Sequence, residues 1–157
     1  MDLRALGWDY FFADAAKNAP ANFVPARVAL VFRGGYEVWT EQGEFLAQVS
    51  GRFRHFAANK ADNPVTGDFA LVEEFPDESK ALIHSLLPRR TKLSRSTAGR
   101  ATDEQVLAAN IDSVFIAISC ATDLRLRTIE RYLTVVRESG AEAVLLLTKA
   151  DLCEQVP

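Results

Sequence analysis

Near its carboxyl end the chain reads Leu147-Thr148-Lys149-Ala150-Asp151-Leu152, a run that could recognise a purine base. An ionised aspartate is an acceptor only, and its two oxygens can take two hydrogens side by side. Guanine offers that pair along one edge, an N1–H and an exocyclic amine, whereas adenine offers neither in that arrangement. Hydrogen bonds to a charged partner are worth about 1.5–3 kcal/mol each. A base that leaves the carboxylate unpaired is rejected in addition. In this reading Asp151 reads the base, Lys149 lays its aliphatic stem over the ring, Thr148 braces the loop, and Ala150 completes the tetrad.

Other chemistry is sparse. Cys120 and Cys153 lie 33 positions apart, and the two histidines, His55 and His84, sit near neither, so no metal-ligand spacing is present in this chain. The 157 residues are 48% apolar and 25% charged, ordinary for a globular protein and incompatible with a disordered one. Val114–Ile118 and Ala143–Leu147 are the longest strongly apolar runs. They are strand-sized and far short of the roughly 20 residues of a membrane span. Met1–Leu6 carries an acid and a base with no apolar run behind it. The expectation is a cytoplasmic protein with reduced thiols and no membrane partner. The net charge of −3 conceals an acidic stretch, residues 67–88 at −4, followed by a basic one, residues 89–105 at +3.

Two periods organise the elements that must position these groups. From Val24 to Leu87 the signals are those of short strands: Val24–Phe32, Tyr36–Thr40, Glu44–Ser50, Phe69–Glu73 and Ala81–Leu87, punctuated by Gly34-Gly35, Gln42-Gly43 and Gly67-Asp68. Five short strands of which the first three form a meander predict a small closed barrel of the OB type, with an SH3-like barrel as the near alternative. Leu3–Ala16, with Trp8, Phe11 and Phe12, predicts a short helix or an arm packed on it. The expected boundaries are an arm over 1–20, a barrel over 21–90 and a further unit over 91–157.

In that further unit, Thr102-Asp103-Glu104-Gln105 has the outline of a capping box and predicts a short helix through Ala109. Ser113–Ser119 predicts a buried parallel strand. Leu126, Ile129, Tyr132, Leu133 and Val136 mark one face of a helix that Gly140 would end, and Ala143–Leu147 predicts a second parallel strand. The fold class is therefore β plus α/β, with one right-handed β-α-β unit after the barrel. Two strands and a helix cannot cover both faces of their own sheet, so the unit is expected to be the leading part of a larger α/β domain.

The tetrad follows the second of those strands, at the carboxyl end where open α/β sheets hold ligands. A [Thr/Asn]-Lys-x-Asp tetrad in that place is the base-reading motif of P-loop GTPases. Their phosphate-binding Gly-x-x-x-x-Gly-Lys-[Ser/Thr] and their Asp-x-x-Gly ordinarily precede it, yet neither occurs in the residues before Thr148. If the tetrad is genuine, the order of motifs is permuted and the phosphate half follows Pro157.

Leu87-Pro88-Arg89-Arg90-Thr91-Lys92-Leu93-Ser94-Arg95, Ala98-Gly99-Arg100-Ala101-Thr102-Asp103-Glu104-Gln105-Val106-Leu107-Ala108-Ala109-Asn110-Ile111-Asp112, Arg127–Leu133 and the tetrad together resemble the YjeQ/RsgA family of circularly permuted GTPases. Arg33–Tyr36 and Gly51–Arg54 resemble the OB domain of the same family. The resemblance implies an OB barrel, a permuted GTPase domain and a zinc-binding C-terminal domain. It further implies GTP and GDP with Mg2+, one structural Zn2+, and late maturation of the small (30S) ribosomal subunit through contact with its 16S rRNA. It places the guanine-reading residues at Thr148, Lys149, Ala150 and Asp151. With the phosphate loop and the metal ligands outside it, this chain alone is expected to be a monomer that does not hydrolyse GTP, with no catalytic and no metal-ligating residue of its own.

An OB barrel binds looped RNA by basic grip and aromatic stacking. The candidates are Arg27, Arg33, Tyr36, Arg52, Arg54, His55 and Lys60, with Arg89 and Arg90 at the barrel exit. Read as extended chain, Gly51–His55 sets Arg52 and Arg54 on one face and Phe53 inside. Phe32, Trp39 and Phe45 are expected in the core, Trp8 as the plug of the arm, and His84 in a structural role. Cys120 and Cys153 are expected to be bystanders at strand ends. The rival reading is a complete small RNA-binding adaptor whose β-α-β tail docks without nucleotide.

Overall fold

The computed structural model describes residues 1–96, 104–121 and 125–152. The chain opens with a turn and a helix, α1 (Tyr10–Ala16), started by Asp9, whose carboxylate accepts the Phe11 N–H at 3.0 Å. Strands β1 (Val24–Phe32), β2 (Gly35–Trp39) and β3 (Glu44–Val49) then form the expected meander. A helix, α2 (Gly51–Phe56), leads towards β4 (Phe69–Phe75) and β5 (Lys80–Leu86). The five strands close in the order β1-β2-β3-β5-β4. Only β3 and β5 run parallel. This is the OB-type closure, and it leaves the barrel without a free edge.

The period of two in these strands fills the interior. Ala26 and Val28 of β1, Val38 of β2, Phe45 and Ala47 of β3, Ala70 and Val72 of β4, and Ala81 and Ile83 of β5 form one buried cluster. Each large aliphatic side chain so buried stabilises the fold by about 1.5–3 kcal/mol. A second cluster joins the arm to the outside of the barrel, where Phe12, Phe69, Leu71 and Leu87 are buried against Trp8, Ala16 and Phe23. Trp8 lies 5.9 Å from Phe12 and meets Phe69 edge-on at 5.2 Å, the plug expected of it.

Three expectations are corrected. Gly51–His55 is helical, not extended, because the Ser50 hydroxyl accepts the Phe53 N–H at 3.1 Å and starts a turn there. Phe32 is 43% exposed, outside the core, whereas Phe45 is inside it. Trp39 is only half-buried, with its indole N–H donating to Glu37.

Downstream, β6 (Lys92–Ser96) and β7 (Glu104–Ala109) form an antiparallel pair. The helix expected to run to Ala109 is therefore a strand from Glu104 onward, while Thr102 and Asp103 lie outside the described residues. A capping box contributes about 1 kcal/mol. Here it is outweighed by a ladder to β6, by the Lys92–Glu104 bridge at 2.8 Å and by the burial of Val106 and Ala109.

β8 (Ser113–Ser119), α3 (Leu126–Ser139) and β9 (Glu142–Thr148) make the expected parallel unit, in register from Ser113 beside Glu142 to Ser119 beside Thr148. Helix α3 ends at Gly140, whose φ of 84° is the left-handed conformation that glycine adopts without strain.

A knot of polar contacts ties barrel, arm and this unit together. Ala109 N donates to Thr66 O at 3.0 Å. The Asn110 amide donates to Gly67 O at 3.0 Å and accepts the Arg90 N–H at 2.8 Å. A Cβ at Gly67 would stand 2.0 Å from Ala109 O, so only glycine permits this approach.

Candidate guanine-reading end and basic surface

The tetrad occupies the turn that leaves β9. The Thr148 carbonyl accepts the Cys120 N–H at 2.8 Å, and its hydroxyl donates to Ile118 O at 3.2 Å, so the end of β9 is pinned to the end of β8 from both sides. Lys149 then takes a left-handed φ of 57° that swings the chain away from the strand. Ala150–Leu152 follows as one tight helical turn, closed by Leu152 N donating to Lys149 O at 3.1 Å. Lys149 and Asp151 are both exposed. Neither side chain has a hydrogen bond or ion pair among the described residues. A groove lined by Ser119, Ala121, Arg125 and Thr128 opens beside this end of the sheet. What the turn can do is present an unneutralised carboxylate and a long aliphatic stem at the ligand-binding end of a parallel sheet.

The basic candidates divide sharply. Arg27 is half-buried, its guanidinium donating to Leu6 O and, at 2.9 Å, to Asn110 O, while lying 4.9 Å from the centre of the Phe69 ring. Burial pushes the Arg27 pKa down, and Asp112 and Asp68 oppose that shift. Arg89 grips the fully buried Asp68 with two hydrogen bonds, at 2.7 and 2.8 Å, and also holds the carbonyls of Ala61 and Asn63. Arg90 pairs with Asp9 at 2.6 Å and covers the rings of Phe11 and Phe12. These three, expected as RNA contacts, clamp the arm and the barrel exit: Arg89 has all three guanidinium nitrogens engaged, Arg27 two and Arg90 one.

Arg33, Arg52, Arg54, His55 and Lys60 are exposed and form no ion pair among the described residues. Arg33 lies in the β1–β2 turn. Tyr36 stands opposite Ala47 of β3, which sets that turn at the same end of the barrel as the start of α2. The Tyr36 hydroxyl has its pKa raised by partial burial, an effect the nearby Arg54 charge counteracts. Because α2 is helical, Arg52 and Arg54 diverge around it instead of sharing a face, and Phe53 between them packs on the barrel core. His84 is structural: it stacks on Phe23 at 4.1 Å and contacts Glu73 at 3.1 Å. Cys120 is buried, and Cys153 lies outside the described residues.

Among the described residues no three His, Cys, Asp or Glu side chains come together as a metal site. No helix among them is long and apolar enough to cross a membrane.

A closed five-stranded barrel followed by a parallel β-α-β unit with a Thr-Lys-x-Asp turn defines an OB barrel joined to part of a permuted GTPase domain. A family model described as RsgA GTPase matches residues 86–157. The small ribosomal subunit biogenesis GTPase RsgA of Opitutus terrae is 44% identical over 97% of this chain and 44% of its own length. The proteins of that name from Syntrophotalea carbinolica and Streptomyces coelicolor are 37% and 39% identical, over 99% and 96% of this chain and 44% and 40% of theirs. Among solved structures, YloQ, described as a circularly permuted GTPase, matches 88% of this chain and 45% of its own with a TM-score of 0.61 at 17% identity. YjeQ from Thermotoga maritima matches 85% of this chain and 44% of its own, also with a TM-score of 0.61, at 20% identity. The chain belongs to the RsgA family of circularly permuted GTPases, and it spans less than half the length of the curated relatives it matches.

Proposed function

We propose that this chain supplies the RNA-binding barrel and the base-reading end of a GTPase that matures the small ribosomal subunit. Asp151 selects guanine, Lys149 covers the purine ring, and Thr148 with Ala150 sets the turn that presents them. The phosphate loop, the Mg2+ site and a structural Zn2+ site belong to the portion of the relatives that this chain does not span. The 16S rRNA is held through Arg33, Arg52, Arg54, His55 and Lys60, with Tyr36 beside them, and the protein works as a monomer in the cytoplasm. The observation that carries the reading is Asp151, exposed and without an ion pair among the described residues, at the carboxyl end of β9 on a turn pinned to β8 through Thr148. The family's names support the cellular role.

The test is Asp151→Asn in the gene product that contains this chain. An asparagine keeps one acceptor for the base N1–H but presents an amine where the guanine amine needs an acceptor. It suits xanthine, which has a carbonyl at that position. Loss of two charge-assisted hydrogen bonds should weaken GDP binding by roughly 100-fold or more. Xanthosine diphosphate should bind the variant better than the parent. Equal GDP affinity in parent and variant, by calorimetry, removes Asp151 from the base site.

A further inference from the structure

We infer that Phe56 is a stacking platform for an unpaired RNA base, flanked by cations that hold the neighbouring phosphates; this rests on the reading of the barrel as RNA-binding. Phe56 ends α2 and, at 70%, is the most exposed phenylalanine among the described residues. Arg52 is four residues earlier and therefore on the same face of the helix, with its guanidinium carbon 5.9 Å from the centre of the Phe56 ring. His55 meets the same ring edge-on at 5.4 Å. Arg54 emerges on the other side of α2, towards Tyr36, and Lys60 follows in the next turn. No acidic residue occurs between Ser50 and Ala61. An exposed ring inside a patch of unneutralised cations has the two parts that single-stranded RNA requires, a π face for a base and positive charge for the backbone.

The barrel has a second exposed apolar surface, a groove of about 460 Å3 lined by Phe32, Leu46 and Phe75. Its lysine, Lys80, is bridged to Glu78 at 2.8 Å, with Asp77 next in the chain, and of the basic candidates only Arg33, in the β1–β2 turn, borders it without an ion pair among the described residues. Charge favours the Phe56 surface for a polyanion: Arg52 and His55 lie directly against its ring, whereas the lining of the Phe32 groove carries Lys80 together with Glu78.

Stacking and charge leave different signatures. Each phosphate contact on a single strand contributes about 0.7 to the slope of log K against log salt, whereas a stacked ring contributes affinity without slope. The experiment uses the full chain and a short fluorescein-labelled oligo(rA), with an rA·rU duplex of equal length as the paired control. Phe56→Ala should lower affinity for the single strand by about 10-fold with the salt slope unchanged. Phe56→Trp should preserve it, and duplex binding should not respond to either variant. Arg52→Gln with Arg54→Gln should reduce the slope by about 1.4. If the arginine pair matters and Phe56→Ala does not, the stacking inference is wrong and the RNA reading stands. If neither set changes binding, or the parent chain does not bind the oligonucleotide at low salt, the RNA reading itself falls and the inference with it. Phe56 would then be a contact for a protein surface.

Discussion

The barrel and the β8–α3–β9 unit are built from the same kind of apolar strand and reach opposite outcomes. In the barrel, Val28, Val38, Val72 and Ile83 are fully buried, since five strands closed on themselves enclose whatever points inward. In the β8–β9 pair, Phe115 is 66% exposed, and Leu145, Leu146 and Leu147 are each about 40% exposed. Among the described residues one helix shields one face of a two-stranded sheet, and neither edge is paired. Stability therefore concentrates in the closed region, while the Thr148–Asp151 turn sits on the region whose apolar side chains stay exposed.

The comparison breaks most easily at its largest expected effect. Ile83→Ala should empty the barrel centre and cost about 2–5 kcal/mol, while Phe115→Ala, which removes an exposed ring, should cost no more than about 0.5 kcal/mol. Urea unfolding followed by tryptophan emission, from Trp8 on the arm and Trp39 on β2, reads the barrel and its arm. Similar losses from the two substitutions would mean that Phe115 is buried in solution, by self-association or otherwise, and the contrast between regions would disappear.

A smaller effect is expected at the junction between the two regions. Asn110 has a φ of 51°, a left-handed conformation that asparagine tolerates, and its amide bonds both Gly67 and Arg90. Asn110→Gly keeps the backbone and removes the two side-chain bonds, which should cost about 1–3 kcal/mol if both regions unfold together. Hydrogen exchange distinguishes the alternatives. Faster exchange confined to β8 and β9, with β1 and β4 unchanged, would show that the knot couples the regions loosely and that the barrel is stable without it.

How much of this was legible in the sequence follows the range of the deciding contacts. The barrel strands could be read because their alternation and the glycine-bearing turns are local. So could α3 and its Gly140 stop. The β7 strand was misread because the local capping pattern at Thr102–Gln105 competes with a pairing to β6 that only the hairpin supplies. Helix α2 was misread for the opposite reason: Ser50 is an ordinary N-cap residue, but the alternation of Arg52, Phe53 and Arg54 mimics a strand. The arginines divide the same way. Nothing near Arg27 or Arg90 in sequence shows that their partners are Asn110 and Asp9, 83 and 81 positions away. By contrast, the tetrad could be placed, because a strand and its following turn are contiguous. The exposure of Phe56 had a signal only in hindsight of the helix, as the residue four places after Arg52.

The smallest expected effect concerns the arm, which is joined to the barrel by apolar packing, by the hydrogen bond from Arg27 to Leu6 O and by the exposed Asp9–Arg90 ion pair. The Asp9 carboxyl is held below the usual carboxylate range, first by its hydrogen bond with Arg90, against which burial pushes upward, and further by the Phe11 N–H. A carboxyl lowered in the folded state adds stability that is complete above its unfolded value and lost as pH falls through its folded one. The arm's contribution from this pair should therefore persist from neutral pH into the ordinary carboxylate range and vanish only below it. Trp8, stacked on Phe12 two residues from the salt-bridged helix start, should report the loosening as a change in emission. In Arg90→Gln the same change should begin at higher pH, near the value of an unperturbed aspartate, while the barrel core stays folded. Identical pH profiles for the two proteins would leave the packing of Trp8, Phe12 and Phe69 and the Arg27–Leu6 hydrogen bond to hold the arm, with the Asp9–Arg90 pair contributing nothing measurable at the surface.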